Sequence, residues 1–170
     1  MKIFITGVAG FLGSHLADLM LANGHTVAGN DNMIGGYADN VPQGVEFHQV
    51  DCCDLENLTK AMEGCDIVYH TAATAYEGLS VFSPVLVTRN IFEASVTTIT
   101  AAIRNKVKRI VYCSSMARYG EQDIVPFTED LIPKPQDPYG IAKYSIEMDL
   151  ANAGRQFGLA YSIIRPHNVI

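Results

Sequence analysis

The sequence predicts an α/β fold in which helices cover both faces of a doubly wound parallel sheet. Three observations indicate this fold class. Short apolar runs rich in β-branched residues alternate with helical stretches along all 170 residues. Most of these runs are nearly continuous in apolar character, as expected for parallel strands buried on both faces. A glycine-rich turn joins the first run to the first helical stretch. We therefore expect one domain over residues 1–170.

Six runs are predicted to be strands: residues 2–6, 26–30, 45–50, 66–70, 109–114 and 159–165. Parallel strands need crossover connections, and these are right-handed in almost every known case. In a doubly wound sheet of this kind we expect the strand order 3-2-1-4-5-6.

Helices are predicted between most of the strands. The first covers 11–23 and places Leu12, Leu16 and Leu19 on one face before Asn23-Gly24 ends it. A short helix covers 54–63. Two others begin where a capping residue precedes a proline, at Ser83-Pro84 and Asp137-Pro138. The first of these is predicted to run as one helix towards Asn105. The proline-rich stretch 126–138 is predicted to be an ordered loop, which either lines a ligand crevice or simply connects two elements.

Bulk composition excludes several classes of protein. Hydrophobic residues make up 48% of the chain and charged residues 18%, as in a folded soluble domain. The net charge is -6, and the short basic run 106–109 more simply leads a helix end into a strand, so no nucleic-acid partner is expected. The first apolar run is too short for a signal peptide, and no run approaches the roughly 20 residues that span a bilayer. We predict a cytoplasmic protein without a membrane partner.

Four cysteines fit a reducing compartment: Cys52, Cys53, Cys65 and Cys113. They form no C-x-x-C pair and no His/Cys cluster with zinc spacing, so no metal site is predicted. The adjacent Cys52 and Cys53 could form a strained redox pair, but small buried thiols are the simpler interpretation. His70, at the end of a predicted strand, is interpreted as structural rather than as a ligand.

The turn after the first strand carries Gly7, Gly10 and Gly13 in the pattern G-x-x-G-x-x-G. Glycines permit a tight turn and a close approach of the backbone to a pyrophosphate. The helix that starts at Phe11 and Leu12 offers unpaired N–H groups to the same anion. Between a strand and a helix, this pattern predicts a dinucleotide site.

The second strand ends at Asn30-Asp31-Asn32, roughly 20 residues after the last glycine, where an acid can bind the hydroxyl groups of the adenosine ribose. A carboxylate at Asp31 would repel a 2'-phosphate, and no arginine lies beside it in the sequence. We therefore predict NAD rather than NADP as the cofactor. Alternatively, Asp31 only caps a turn.

Tyr139 and Lys143 lie four residues apart, so a helix places the phenol and the ammonium on one face. A free tyrosine has a pKa of about 10 and is a poor base at neutral pH. A fixed positive charge nearby would lower that pKa. Ser115 lies at the end of the fifth predicted strand. The three residues Ser115, Tyr139 and Lys143 are the predicted catalytic set.

These motifs together resemble an extended short-chain dehydrogenase/reductase of the NAD-dependent epimerase/dehydratase family, whose nucleotide domain is of the Rossmann type. Residues 6–13 match the T-G-x-x-G-F-[IL]-G loop of the family. Asp51 matches the acid that contacts the adenine amine. Residues 70–73 match the H-x-A-A segment beside the cofactor, and Asn90 matches the asparagine of an N-V-x-G-T helix.

The second half of the chain continues the resemblance. Residues 111–120 resemble V-Y-x-S-S-x-x-V-Y-G, which places the catalytic hydroxyl at Ser115, and Tyr139 with Lys143 forms the Y-x-x-x-K pair. Residues 165–169 resemble the start of R-P-x-N-V-Y-G-P. The resemblance implies binding of NAD by Gly7, Gly10, Phe11, Leu12, Gly13, Asp31, Asn32, Asp51, Cys52, Ala72, Ala73, Asn90, Tyr139, Lys143 and Pro166, and binding of substrate by Thr74, Ser115 and Asn168.

The sequence departs from the family in three places. Glu93-Ala94 replaces the usual Gly-Thr of its helix, and Arg118 replaces a common valine. Family members usually continue for well over a hundred residues beyond the last motif of this chain. We therefore expect an N-terminal portion, with the C-terminal part that grips the sugar nucleotide missing.

Met116 and Ala117 indicate which reaction of the family to expect. Dehydratases of the family carry an Asp-Glu pair at these positions, and decarboxylating relatives usually carry a glutamate at the position of Ala117. Neither residue here can move a proton. The resemblance therefore implies 4-epimerisation of a UDP-hexose through transient oxidation at C4, in a homodimer. A nucleotide-sugar reductase or dehydrogenase remains an alternative, as does a non-catalytic dinucleotide-binding module.

Overall fold

The computed structural model describes residues 1–169, and its centre is a six-stranded parallel sheet. The strand order is β3-β2-β1-β4-β5-β6, which confirms the predicted order. The strands are β1 (Lys2–Thr6), β2 (Thr26–Asp31), β3 (Glu46–Gln49), β4 (Ile67–His70), β5 (Arg109–Cys113) and β6 (Ala160–Ile164).

Helices cover both faces of the sheet. They are α1 (Phe11–Ala22), α2 (Leu55–Ala61), α3 (Glu77–Phe82), α4 (Pro84–Thr88), α5 (Ala94–Arg104) and α6 (Pro138–Phe157). The single helix predicted from Pro84 towards Asn105 is instead two helices joined by a π-helical turn, Arg89–Glu93, and α3 was not predicted. Short 3₁₀ turns occupy Ala38–Asn40 and Met116–Tyr119.

The side chains of β1 show why its sequence is continuously apolar. Ile3 and Ile5 pack on one face of the sheet with Val27 of β2, whereas Phe4 packs on the other face with Ile110 of β5. The three β1 side chains are at most 1% exposed. Full burial of such a side chain contributes about 1.5–3 kcal/mol, so this strand stabilises both layers of the domain.

The order in which strands are added to the sheet reverses after β3, so that β4 lies on the opposite side of β1 from β2. The strands β2 and β3 extend the sheet on one side of β1, and β4 pairs with the other side in the register Ile3↔Ile67 to Thr6↔His70. Ligands of doubly wound sheets bind outside the carboxyl ends of the strands at such a switch point. The fold therefore places a crevice beyond Thr6 and His70.

The start of α6 follows the predicted Asp137-Pro138 signal. The Asp137 side chain accepts a hydrogen bond of 2.9 Å from the Gly140 amide, and Pro138 is the first helical residue. The helix ends at Gly158, which adopts a left-handed conformation with φ of 70°. These two ends fix the orientation of the face that carries Tyr139 and Lys143. None of the helices formed by residues 1–169 is long and apolar enough to cross a membrane.

Candidate functional site

A cleft of about 950 Å³ lies at the carboxyl ends of the strands. It collects every residue that the sequence predicted to bind cofactor or substrate. These lining residues are Gly7, Gly10, Phe11, Leu12, Gly13, Asp31, Asn32, Asp51, Cys52, Ala72, Ala73, Thr74, Asn90, Ser115, Tyr139, Lys143, Pro166 and Asn168.

The glycine loop forms one wall of this cleft. Gly7 has φ of 71°, and a Cβ atom there would lie 2.8 Å from the Cα of Ala72, so the two segments touch through their backbones. Helix α1 begins after Gly10, and no side chain of the described residues caps it. Its first-turn N–H groups, at Phe11 and Leu12, therefore have no side-chain cap, as expected of a helix start that could bind an anion.

Asp31 ties the two loops of this wall together. Its carboxylate accepts hydrogen bonds from the amides of Ala9, at 3.1 Å, and Met33, at 2.8 Å. Asp31 therefore caps a turn, and its side chain also lines the cleft. An ionised carboxylate has about four acceptor positions, so Asp31 keeps capacity for a ligand hydroxyl.

Asp51 is held in its charged form at the same end of the cleft. Burial raises the pKa of its carboxyl, but hydrogen bonds from the Cys53 amide and the Asn32 side chain outweigh this, and the pKa is lowered. The bond from Asn32 measures 3.1 Å, and the guanidinium of Arg89 lies 3.9 Å away. A charged acceptor here suits an amine of a ligand.

Two other predicted residues shape the cleft without carrying charge. The Asn90 amide donates to the Thr74 hydroxyl at 2.9 Å, which links the π-helical turn to the segment after β4. Cys52 is buried, and this burial raises the pKa of its thiol to about 11. A thiol that stays protonated supports the interpretation of Cys52 as a small apolar group.

Tyr139 behaves differently from the expectation. Its ring packs on the apolar cluster formed by Val87, Ile91 and Ala142. Burial raises the pKa of the phenol above 10, and the neighbouring Ser115 hydroxyl offsets only part of that rise. The pKa of Tyr139 is therefore raised rather than lowered as expected, and desolvation of the phenolate is the largest cause.

Lys143 explains this result through its own contacts. Its ammonium donates a hydrogen bond of 2.6 Å to the carbonyl of Cys113 and lies 5.8 Å from the centre of the Tyr139 ring. The side chain is buried, which lowers its pKa to about 8. The ammonium is therefore bonded to the backbone at the end of β5.

Ser115 joins the main cleft to a second cavity of about 440 Å³. The Ser115 hydroxyl accepts a hydrogen bond of 3.1 Å from the amide of Ala117, which starts the 3₁₀ turn after β5. Pro166 and Asn168 line both cavities as well. Of the predicted substrate residues, Ser115 and Asn168 therefore lie where the two cavities meet, whereas Thr74 lines only the main cleft.

A buried ion cluster behind Ser115 was not predicted. The carboxylate of Glu147 accepts two hydrogen bonds from Arg165, at 3.1 and 2.9 Å, and one from the Ser114 hydroxyl at 2.6 Å. Arg118 lies 3.4 Å from the same carboxylate. The cluster connects the chain next to Ser115, the helix that carries Lys143, and the segment before Pro166. Its signal in the sequence was a glutamate one turn beyond Lys143 on the same helical face.

Lining residues outside the prediction include Glu77 and His167, which border both cavities. His167 lies inside the segment 165–169, whose neighbours Pro166 and Asn168 were predicted to bind, so its place at the cleft could have been predicted from the sequence. Glu77 belongs to α3, and that helix had no recognisable periodicity.

The strand order, the glycine loop and the convergence of Ser115, Tyr139 and Lys143 define a Rossmann-type domain of the extended short-chain dehydrogenase/reductase class. The model of the NAD dependent epimerase/dehydratase family matches residues 3–170, and the chain belongs to that family.

Curated relatives support the same class. The chain is 34% identical to a UDP-glucose 4-epimerase of Corynebacterium glutamicum over 169 residues, which are 99% of this chain and 51% of the relative. It is also 34% identical to a putative UDP-arabinose 4-epimerase of Arabidopsis thaliana, covering 99% of this chain and 41% of that protein. The chain thus spans about half the length of the curated relatives it matches.

Solved structures share the fold closely. The UDP-glucose 4-epimerase of Thermotoga maritima with UDP-glucose superposes with a TM-score of 0.94 at 34% identity, covering 97% of this chain and 55% of the other. The complex of the Thermus thermophilus UDP-glucose 4-epimerase with NAD superposes with a TM-score of 0.92 at 34% identity, covering 97% of this chain and 54% of the other.

Proposed function

We propose that this chain binds NAD in the main cleft. The fit rests on features of the cleft itself: the uncapped start of α1 suits a pyrophosphate, and the charged Asp51 suits an adenine amine. The negative charge of Asp31 favours the free ribose hydroxyls of NAD over the 2'-phosphate of NADP. The relative from Thermus thermophilus was solved with NAD.

Calorimetric titration of this chain with NAD and with NADP tests the proposal. We expect NAD to bind more tightly, because Asp31 would repel the 2'-phosphate of NADP. Gly10→Val is expected to weaken both, since the added side chain would stand over the uncapped start of α1. Equal or tighter binding of NADP would contradict the assignment of Asp31.

We propose further that the protein is a nucleotide-sugar epimerase, with 4-epimerisation of a UDP-hexose as its reaction. The observation that carries this proposal is that Ser115 shares the main cleft with Tyr139 and also lines the second cavity with Met116 and Ala117, which cannot act as acid or base. Epimerisation through a 4-keto sugar needs a single acid/base, whereas dehydration needs more. Relatives whose names specify UDP-sugar 4-epimerases agree with it.

In this proposal Tyr139 takes the proton of the sugar C4 hydroxyl, and Ser115 donates a hydrogen bond to the same oxygen. When bound, NAD supplies a hydride acceptor for C4 and a positive charge beside the phenol. Because burial raises the pKa of Tyr139, positive charge is needed before the phenolate can form. Lys143 provides such a charge within one turn of α6. Proton transfer by a positioned group contributes about two to four decades of rate.

Tyr139→Phe tests the catalytic assignment, because it keeps the ring and removes the proton acceptor. The chain covers about half of its relatives, so turnover is measured on a version that continues past residue 170. We expect NAD binding to survive and epimerisation to fall by about two to four decades. Ser115→Ala should reduce the rate of epimerisation by less than Tyr139→Phe does, and Lys143→Met should weaken both turnover and NAD binding. Epimerisation by Tyr139→Phe at near the parent rate would refute the assignment.

Two other functions give different outcomes in the same assay. A reductase or dehydrogenase would accumulate reduced or oxidised sugar with net conversion of NAD, whereas an epimerase leaves the total NAD unchanged. Release of a 4-keto-6-deoxy sugar would refute the interpretation of Met116 and Ala117. A non-catalytic module would bind NAD without turnover in any extended version.

We also propose a homodimer that pairs the faces of α4, the π-helical turn and α6. Apolar side chains on these helices are exposed, among them Val85, Phe92, Ile141 and Met148. Ile141 and Met148 lie two turns apart on α6, so this pair shares a helical face. Light scattering at micromolar concentration tests this, and a strict monomer of the extended version would contradict it. The cytoplasmic location stays a prediction.

A further inference from the structure

A buried chain of hydrogen bonds runs beneath the cleft from β1 to α5. The Thr6 hydroxyl lies 2.7 Å from Nδ1 of His70, and Nε2 of His70 lies 2.7 Å from the Ser95 hydroxyl. All three side chains are at most 1% exposed. Water therefore does not set the positions of the protons, and the partners must do so.

The numbers of donors and acceptors assign each proton along this series of hydrogen bonds. The Thr6 oxygen accepts the amide N–H groups of Thr71 and Ala72, both at 3.1 Å. A hydroxyl has two acceptor positions and one proton, so the Thr6 proton is left to donate to Nδ1 of His70. Nδ1 is then the acceptor nitrogen. Nε2 carries the ring proton and donates it to Ser95.

The surroundings of His70 oppose a second proton on the ring. Burial and the charge of Lys143 lower the pKa of His70 to about 3. The imidazole stacks on the Tyr112 ring with 5.7 Å between centres, and the Lys143 ammonium lies 5.1 Å from the centre of that same ring. A charged imidazolium would also turn Nδ1 into a donor facing the Thr6 hydroxyl.

The Thr6 oxygen is where the two walls of the cleft are joined. Besides the two amides that it accepts, the Thr71 hydroxyl donates to the Thr6 carbonyl at 2.6 Å. One residue further along each segment, Gly7 and Ala72 approach so closely that a Cβ atom at Gly7 would overlap Ala72. One hydroxyl therefore bonds both amides at the start of the segment after β4 to the strand that leads into the glycine loop.

We propose that His70 is a positioning residue for the dinucleotide cleft. As the neutral Nε2–H tautomer, it fixes the Thr6 hydroxyl so that the glycine loop and residues 71–74 stay joined. The ring never contacts the ligand; it acts through Thr6. The effect on the cofactor rests on the proposed NAD binding, whereas the assignment of the protons does not.

Nitrogen NMR of this chain tests the proton assignment without any ligand. We expect Nδ1 of His70 to give the resonance of an unprotonated ring nitrogen and Nε2 that of a protonated one. The pattern should stay unchanged from about pH 5 to about pH 8, although a free histidine titrates near 6.5. A protonated Nδ1, or titration within that range, would overturn the assignment.

Two variants separate positioning from simple packing. His70→Asn keeps an acceptor oxygen roughly where Nδ1 stands, so we expect NAD affinity close to the parent value. His70→Phe keeps the ring but leaves the buried Thr6 proton without an acceptor, and we expect NAD to bind about tenfold more weakly or worse. Thr100→Val is the control. The Thr100 hydroxyl lies on α5, the helix that also carries Ser95, but it bonds only to the Val96 carbonyl of that helix.

The outcomes separate this proposal from the proposed function. Equal NAD affinity of the folded His70→Phe and the parent would overturn the positioning role, as would a failure of His70→Asn to bind better than His70→Phe. If His70→Phe does not fold, His70→Asn decides, because Asn keeps an acceptor for the Thr6 hydroxyl but loses both the ring and the bond to Ser95. NAD affinity of folded His70→Asn close to that of the parent would support the positioning role, and a loss of about tenfold or more would overturn it. No NAD binding by a folded parent would refute the proposed function, while the NMR result still judges the proton assignment.

Discussion

Replacing Glu147 with glutamine removes the only negative charge from a buried cluster of three ionised side chains. Glu147 accepts bonds from Arg165 through both carboxylate oxygens, and Arg118 lies 3.4 Å from one of them. In Glu147→Gln, one oxygen becomes an amide nitrogen that can only donate. It would face Arg165, Arg118 or Ser114, each of which is itself a donor there.

The size of the effect follows from burial. The side chains of Glu147 and Arg118 are each 6% exposed, so water cannot solvate the Arg118 guanidinium once the carboxylate is removed. Removing one partner of a buried ion pair costs about 3–5 kcal/mol. For a domain of about 170 residues, each kcal/mol corresponds to roughly 2–4 °C in melting temperature. We therefore expect Glu147→Gln to lower the melting temperature by about 6–20 °C.

Glu56→Gln is a matched control. Glu56 pairs with Arg104 at 3.0 Å, close to the 2.9 Å between Glu147 and Arg165, but the Glu56 side chain is 75% exposed. Exposed pairs of this kind contribute about 0–1 kcal/mol. Urea and thermal unfolding of this chain, followed by circular dichroism, measure both variants under the same conditions. Equal losses in the two variants would refute the reasoning, because burial would then not decide the strength of the pair.

Three other substitutions test separate parts of the structure. Gly13→Ala places a Cβ atom on the carbonyl oxygen of Gly7, so we expect a loss of about 1–3 kcal/mol by urea unfolding and weaker NAD binding by calorimetry. Asp137→Ala removes the cap of α6 and should cost about 1 kcal/mol by urea unfolding, while Asp137→Asn should restore most of it. Because Lys143 has a pKa of about 8 in the folded chain against 10.5, the unfolded chain binds more protons between these values, and the free energy of unfolding rises with pH there. Relative to Lys143→Met, the parent should gain about 2 kcal/mol between about pH 7 and about pH 9.5 in urea unfolding.

Each of these substitutions has an outcome that contradicts it. Normal NAD affinity in Gly13→Ala would show that the loop can shift without widening the cleft. Equal stability of the alanine and asparagine variants at 137 would show that the cap contributes nothing. A parallel pH dependence of Lys143→Met and the parent would mean that the ammonium is better solvated than its burial implies.

The sheet could be predicted because each strand is marked by a short apolar run in its own part of the sequence. The order of the strands could be predicted because right-handed crossovers leave few possible orders. Helix α3 could not be predicted, because Leu79, Val81 and Phe82 stay exposed and form no core-facing pattern. It is held instead by Ser80, whose hydroxyl contacts Asp137, 57 residues away in the sequence.

The candidate site shows the same division. The sequence was sufficient to choose residues that share one cleft, because the carboxyl ends of parallel strands meet at one edge of the sheet. It was not sufficient to give their electrostatics. The pKa of Tyr139 depends on its burial against Val87 and Ile91, and the contact of Lys143 depends on where the Cys113 carbonyl points. Both are set by tertiary packing that no spacing in the sequence reveals.

The pairing of β1 with β4 has a consequence for how a ligand would affect the whole domain. Ile3 and Ile67 are partners in this register although 64 residues separate them, and the cleft has one wall on each side of the pairing. A compound in the cleft therefore recognises only chains in which this long-range contact is already made. At a concentration 100 times its dissociation constant, such a compound adds about 2.7 kcal/mol to the free energy of global unfolding. Its signature would be slower amide hydrogen exchange in the central strands as well as at the contacted loops, so that exchange rates deep in the sheet would report occupancy of a site at its edge.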